Sequence, residues 1–145
     1  MHTNLVVRDW EKLVGFYRDV FGCEPATPEQ ELSGPWVEAI TGVAKARIRV
    51  VHLRLPGHGE DGPTLEMIRY DAPEAGQATL ANRPGFGHIA FAVDDVEAAR
   101  DAVMAAGGGA VGEVVSVDLP GRGRLTEAYV TDPEGNIIEL QRWSR

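Results

Sequence analysis

Apolar and polar positions alternate along several short segments of the chain, which is the pattern of β-strands with one buried face. The first such segment covers residues 2–7 and places His2 and Asn4 on the same face. Apolar residues at helical spacing follow it, from a candidate N-cap at Asp9 to a candidate C-terminal stop at Gly22. The pattern therefore predicts a strand followed by an amphipathic helix.

The first half of the chain continues with segments that favour a small sheet. Three further strands are predicted, over 36–41, 48–55 and 64–70. Residues 23–35 are polar and are predicted to form a loop, and 56–63, with three glycines between two prolines, a turn. Residues 71–87 are rich in proline and glycine and are predicted to be a linker, with room for a short helix over 74–82.

The second half repeats this succession. A strand is predicted to begin at His88, 86 residues after His2, and Asp95 is the predicted N-cap of the helix that follows it. Later strands are predicted over 110–117, 125–131 and 137–142, and the residues of 132–136 give a strong hairpin signal. An internal repeat indicates the architecture. We therefore expect one domain, 1–145, made of module one (about 1–70), a linker (about 71–87) and module two (about 88–145).

Composition and charge limit the classes of function. The chain has 145 residues, of which 43% are hydrophobic and 25% are charged, as in ordinary globular domains. The net charge of -8 argues against a nucleic-acid partner. Cys23 is the single cysteine, so no internal disulfide can form, and no apolar run is long enough to cross a bilayer. We expect a cytoplasmic protein without a membrane partner.

Each module offers one histidine near its first strand and one glutamate within the apolar run of its last strand. These residues are His2 and Glu66 in module one and His88 and Glu139 in module two. Two imidazoles and two carboxylates are suited to one divalent metal, with Ni, Co, Zn, Mn and Fe as candidates. The alternative is a pocket that sequesters a small molecule without metal. His52 could also line the site, although a structural role is favoured for it.

Several motifs make the chain similar to a known superfamily. They are His2, residues 16–22 (FYRDVFG), residues 87–95 (GHIAFAVDD) and residues 132–139 (DPEGNIIE). With these motifs the chain resembles the vicinal oxygen chelate superfamily, which includes glyoxalase I, methylmalonyl-CoA epimerase, extradiol dioxygenases and bleomycin-resistance proteins. The resemblance implies an α+β fold of two βαβββ modules, whose curled mixed sheets surround a shared cleft. It also implies a homodimer, and leaves open whether modules pair within one chain or between two.

The resemblance also implies roles for the four residues. His2, Glu66, His88 and Glu139 fill all four ligand positions of the glyoxalase I pattern, whereas the extradiol dioxygenase pattern needs no Glu66. The favoured function is therefore a metal-dependent lyase or isomerase that acts on a small 2-oxo or thioester substrate through a metal-bound enediolate. Glu139 is the first candidate for catalytic base, with Glu66 as its counterpart. An Fe(II) dioxygenase and a metal-free, resistance-type binding protein remain the alternatives.

Overall fold

The chain divides into two compact units, Met1–Gly76 and Gln77–Arg145. The computed structural model describes residues 1–76 and 79–144. Within these residues, each unit contains one mixed sheet of five strands, and the two sheets share the same strand order. The structure therefore confirms the prediction of an α+β fold made of two repeated βαβββ modules.

The first unit builds its sheet around two long antiparallel strands. Its elements are β1 (His2–Val6), α1 (Trp10–Phe21), β2 (Glu24–Pro25), β3 (Gln30–Ser33), α2 (Pro35–Thr41), β4 (Arg47–Arg54) and β5 (Thr64–Tyr70). The strand order is β1-β5-β4-β2, and β3 also pairs with β4. Only β1 and β5 run parallel, so the first and last strands of the unit lie side by side at one edge.

Helix α1 has the two ends that the sequence predicts. The Asp9 side chain accepts a hydrogen bond from the Lys12 backbone N–H, at 3.2 Å, and Gly22 ends the helix in the left-handed conformation, with φ 69°. One side of the helix is buried through Trp10, Leu13, Phe16, Tyr17 and Phe21. The predicted amphipathic helix is therefore confirmed.

Residues 23–41 differ from the prediction. The segment 36–41, predicted as a strand, forms helix α2, with Pro35 in its first turn and Gly42 as a left-handed C-cap. Proline is pre-organised for a first helical turn, and glycine readily ends a helix. Only Val37 of this helix is buried, so a strand interpretation of its apolar residues was wrong. Residues 23–35, predicted as a loop, contain the short strands β2 and β3.

The second unit repeats the plan of the first without a counterpart of α2 among its described residues. Its elements are β6 (Ile89–Ala92), α3 (Val96–Ala105), β7 (Gly109–Ala110), β8 (Val115–Leu119), β9 (Gly123–Thr131) and β10 (Ile137–Ser144). The strand order is β6-β10-β9-β7, and β8 also pairs with β9. The Asp95 side chain caps α3 by accepting from Ala98 N at 2.9 Å. Here too the first and last strands run parallel.

Several element boundaries after residue 73 depart from the sequence pattern. The strand predicted to begin at His88 begins one residue later, and the segment predicted as one strand over 110–117 is divided between β7 and β8. No helix is found in residues 74–76 and 79–82, and the remainder of the short helix predicted over 74–82 falls outside the described residues. The linker over about 71–87 stays a prediction.

The helices of the described residues are short. α1 has 12 residues, α3 has 10 and α2 has 7. Over residues 1–76 and 79–144 there is no helix whose length and apolar character would let it cross a membrane.

The β9–β10 hairpin turns through a buried carboxylate. Asp132, 1% exposed, accepts hydrogen bonds at Oδ1 from the backbone N–H groups of Glu134 and Asn136, at 2.8 and 3.0 Å. Its Oδ2 accepts from Asn136 Nδ2 at 2.8 Å. Gly135 adopts φ 90°, which an L-residue with a side chain rarely takes. The predicted hairpin is confirmed, and this network sets which residues of β9 and β10 face each other.

Candidate active site

Glu66 is the centre of the polar cluster in the first unit. It lies on β5, and its side chain is 17% exposed. The parallel pairing of β1 with β5 puts Asn4 beside Glu66 and His2 beside Thr64, so all four side chains share one face of the sheet. His2 Nε2 lies 3.4 Å from Glu66 Oε2. The structure thus brings together the His–Glu pair that the sequence proposes for module one.

Two further side chains contact Glu66 from the strands on either side of it. His52, directly opposite on β4, places its Nε2 3.3 Å from Glu66 Oε1. Asn4 Nδ2 donates to Glu66 Oε2 at 3.1 Å. The His52 ring also meets the His2 ring edge to face, with centroids 5.3 Å apart. His52 is therefore a member of this cluster, with 26% of its side chain exposed.

The second unit has an equivalent pair. His88 Nε2 lies 2.9 Å from Glu139 Oε2, and the Glu139 side chain is 14% exposed. Tyr129 on β9 is directly opposite Glu139 on β10, and its ring centroid is 4.9 Å from that of His88. Partial burial raises the pKa of Tyr129, and the negative charges of Glu139 and Glu127 and a hydrogen bond to Glu139 raise it further. Tyr129 is thus held as the neutral phenol, which donates to Glu139.

Exposed apolar side chains lie on the same sheet face as Tyr129 in the second unit. Val115 and Val117 on β8 pair with β9 residues that face the same way as Tyr129, and they are 50% and 44% exposed. An open hollow of about 220 Å³ lies next to Tyr129 and is lined in part by Val111 and Val115. This face therefore combines a small polar cluster with exposed apolar surface, as small-molecule sites do.

The donor groups of the two clusters are of the kinds that bind divalent cations. Across the described ranges 1–76 and 79–144, no three or more His, Cys, Asp or Glu side chains are arranged so as to hold a metal ion. Each unit contributes one imidazole–carboxylate pair, and His52 is an additional imidazole in the first. Imidazole nitrogen and carboxylate oxygen together are ligands for Zn, Ni, Co, Mn or Fe(II). The chemistry of the donors therefore fits the predicted metal.

Cys23 does not belong to either cluster. It is fully buried beyond the end of α1, and burial raises the pKa of its thiol to about 11. A thiol is reactive as the thiolate, which this environment disfavours. Cys23 is therefore a packing residue, as the sequence indicates.

Residues 1–140 match the Glyoxalase/Bleomycin resistance protein/Dioxygenase superfamily. The chain belongs to this superfamily. It is 30% identical over 141 residues to a probable lactoylglutathione lyase of Vibrio parahaemolyticus, covering 97% of this chain and 87% of that protein. It is 32% identical over 143 residues to a probable lactoylglutathione lyase of Synechocystis sp., covering 97% and 92%. A lactoylglutathione lyase of Haemophilus influenzae is 30% identical over 143 residues, covering 97% and 89%.

Solved structures have the same fold. A glyoxalase family protein from Bacillus cereus matches with a TM-score of 0.81 and 22% identity, covering 99% of this chain and 93% of that one. A fosfomycin resistance protein from Listeria monocytogenes, solved with Mn(II) and sulfate, matches with a TM-score of 0.56 and 16% identity, covering 99% and 91%. At these identities the likeness concerns the fold alone.

Sequence reasoning found the four main residues of the two clusters and missed two of their neighbours. The sequence pattern puts Asn4 on the His2 face without indicating a role for it, and puts Tyr129 in a predicted strand over 125–131. The signal for Tyr129 lies in the hairpin: Tyr129 and Glu139 are each five positions from Glu134, at the centre of the turn. Counting outward from the turn would have put this phenol opposite the carboxylate.

Proposed function

We propose that this protein is a metal-dependent lyase or isomerase of glyoxalase type. Its substrate would be small, either a 2-oxo compound or a thioester. The observation that carries the proposal is the duplicated His–Glu pair. His2 with Glu66, and His88 with Glu139, approach to 3.4 and 2.9 Å at matching places in two modules of the same topology.

The relatives support this choice of reaction class. Proteins about 30% identical over nearly the whole chain are named lactoylglutathione lyase. The resemblance to glyoxalase I implies removal of a proton next to a carbonyl, with negative charge developing on two adjacent oxygens. For a 2-oxo substrate we therefore expect two adjacent oxygens, one of them on the carbon that loses the proton.

The proposed site uses all four side chains. His2, His88, Glu66 and Glu139 would hold one divalent cation, whose charge the two carboxylates would offset. When bound, this ion would supply Lewis-acid stabilisation for negative charge that develops on the adjacent oxygens of the substrate. Glu139 would take the proton from the carbon next to the carbonyl and return it to the neighbouring carbon.

Glu66 favours proton transfer over oxygen chemistry. A three-ligand iron site needs open positions for both substrate oxygens and for dioxygen, and a second carboxylate would occupy one of these positions. The added negative charge would also weaken the binding of an anionic catecholate. The partly buried Glu66 lies on the same face as His2, as this proposal requires.

The metal can be tested on protein purified without chelator. Elemental analysis should give about one divalent metal per four-residue set, and the double variant His88→Ala, Glu139→Ala should lose it. The matched control is His58→Ala with Glu97→Ala, because both residues are exposed and lie outside the two clusters. Stoichiometric metal in the first double variant would refute the ligand assignment.

The reaction class can be tested in D₂O, with 2-oxo hemithioacetals and acyl thioesters as substrates. We expect solvent deuterium in the product and no dependence on oxygen. Glu139→Gln should slow the exchange about 10²–10⁴-fold, the usual cost of removing an acid–base group, whereas Glu97→Gln should not slow it. Stoichiometric oxygen consumption without deuterium in the product would favour a dioxygenase. Ligand binding without metal or turnover would favour a sequestering protein.

A further inference from the structure

The two glutamates of the candidate site have different neighbours at equivalent sheet positions. Each lies on the last strand of its module, between the first strand on one side and a long antiparallel strand on the other. Glu66 has Asn4 and His52 directly beside it on these strands. Glu139 has Ala90 and Tyr129. The duplicated motif therefore supports its two carboxylates unequally.

We propose that His52 is a positioning residue for Glu66, which it holds together with Asn4 from the two flanking strands. The inference rests on the proposed function in treating Glu66 as a metal-binding carboxylate. His52 Nε2 lies 3.3 Å from Glu66 Oε1, and Asn4 Nδ2 donates to Oε2 at 3.1 Å, so the two residues approach different oxygens of the carboxylate. His2 Nε2 also lies on the Oε2 side, at 3.4 Å. In the second unit Tyr129 is the counterpart of His52, and Ala90 offers no side-chain donor.

The contact with Thr64 determines which ring nitrogen of His52 carries the proton. His52 Nδ1 lies 2.9 Å from Thr64 Oγ1, while Nε2 faces Glu66. A neutral imidazole carries one proton, and a carboxylate only accepts. The favourable tautomer therefore has its proton on Nε2, directed at Glu66, and Nδ1 accepts from the Thr64 hydroxyl. Thr64, His52 and Glu66 thus form a hydrogen-bonded series, in which each donor orients the next acceptor.

This hydrogen-bonded series predicts how metal affinity changes when one of its members is replaced. Residues that orient metal-binding side chains typically change metal affinity about 10–100-fold when they are replaced. We expect His52→Phe to weaken Co²⁺ binding within this range. His52→Gln, whose amide can donate to Glu66, should recover most of the affinity. Thr64→Val should weaken binding by less than His52→Phe, and Thr64→Ser should match the wild type.

The first experiment is a Co²⁺ titration of the metal-free chain, followed by visible absorption and calorimetry. His58→Phe is the matched control, since it removes an exposed imidazole away from the cluster. Wild-type affinity in His52→Phe would overturn the proposal. Failure of His52→Gln to recover any affinity would overturn it as well, because that result indicates direct ligation by His52.

The second experiment needs no metal, and so separates this inference from the proposed function. Nitrogen-15 NMR of the imidazoles in the metal-free chain should show His52 mainly as the Nε2–H tautomer, with a smaller preference in Thr64→Val and the original one in Thr64→Ser. A wild-type protein that binds no Co²⁺ yet shows this pattern would refute the metal function and support the hydrogen-bonded series of Thr64, His52 and Glu66. A dominant Nδ1–H tautomer, or no change in Thr64→Val, would refute the hydrogen-bonded series itself.

Discussion

Replacing Asp132 gives a quantitative test of the hairpin that places Tyr129 opposite Glu139. Asp132 is almost completely buried and accepts three hydrogen bonds, two from backbone N–H groups and one from Asn136 Nδ2. Asp132→Ala removes the acceptor and leaves three donors in a partly buried turn. The expected effect is a lower free energy of unfolding and a looser register between β9 and β10.

The magnitude follows from the number of donors. A donor left without its partner in a buried position costs about 1–3 kcal/mol, and the partial burial of this turn places each donor near the lower end. Asp132→Ala should therefore cost about 3–4 kcal/mol. This is a large fraction of the roughly 5–15 kcal/mol that stabilises a typical domain. For a chain of this length it should lower Tm by about 10 °C.

A reversed pair makes the test specific. Asp132→Asn should lower the free energy of unfolding by about 2 kcal/mol, because its Nδ2 would face the Asn136 Nδ2 donor. Asn136→Asp should lower it at least as much, because two carboxylates would then face each other. The double variant restores a donor–acceptor pair with the opposite direction. Urea unfolding of the four proteins should give a coupling free energy of about 2 kcal/mol. Additive costs, or an Asp132→Ala variant within 1 kcal/mol of wild type, would refute this account of the turn.

Three further outcomes are expected. Gly108→Ala should destabilise the protein by about 1–3 kcal/mol in thermal unfolding, because its Cβ would clash with the Thr131 carbonyl oxygen and lie 2.5 Å from Val103 Cγ1. The control Gly112→Ala, whose Cβ would have open space around it, should change the free energy of unfolding by less than about 0.5 kcal/mol. At pH 8, Cys23, with its pKa near 11, should react with an aromatic disulfide about 10²-fold more slowly than free cysteine until the chain is unfolded, and fast reaction of the folded chain would contradict its burial. Light scattering should give twice the 15.7 kDa chain mass if the chain forms the homodimer that the resemblance implies, and a mass near 15.7 kDa at micromolar concentration would count against it.

The repeat made much of the fold predictable from the sequence. The capping residues Asp9 and Asp95 and the left-handed Gly22 act locally, so the sequence pattern locates the helices they delimit. The two long hairpins are also encoded locally, because the residues at the centre of each turn determine which positions pair. In this way His52 and Glu66 lie equally far from Gly59, in the middle of their loop.

What the sequence could not supply depends on contacts between distant segments. The apolar pattern of 36–41 suits either a strand or a helix, and in the structure Val37 of this helix belongs to one buried cluster with Ile48 and Val50. The role of Asn4 depends likewise on the parallel pairing of β1 with β5, which joins positions more than 60 residues apart. Hydrophobic periodicity carries no information about such a pairing.

The parallel pairing of first and last strands also affects how each module can change during evolution. His2 and Glu66 are 64 positions apart in the chain, and His88 and Glu139 are 51 positions apart. Loop-closure entropy depends only logarithmically on length, so this difference costs the longer module about 0.2 kcal/mol. A segment such as α2 can therefore be gained or lost between the paired strands with little entropic penalty, while the residues that meet at the strand edge stay in register. Either module can thus gain an inserted segment independently of the other copy.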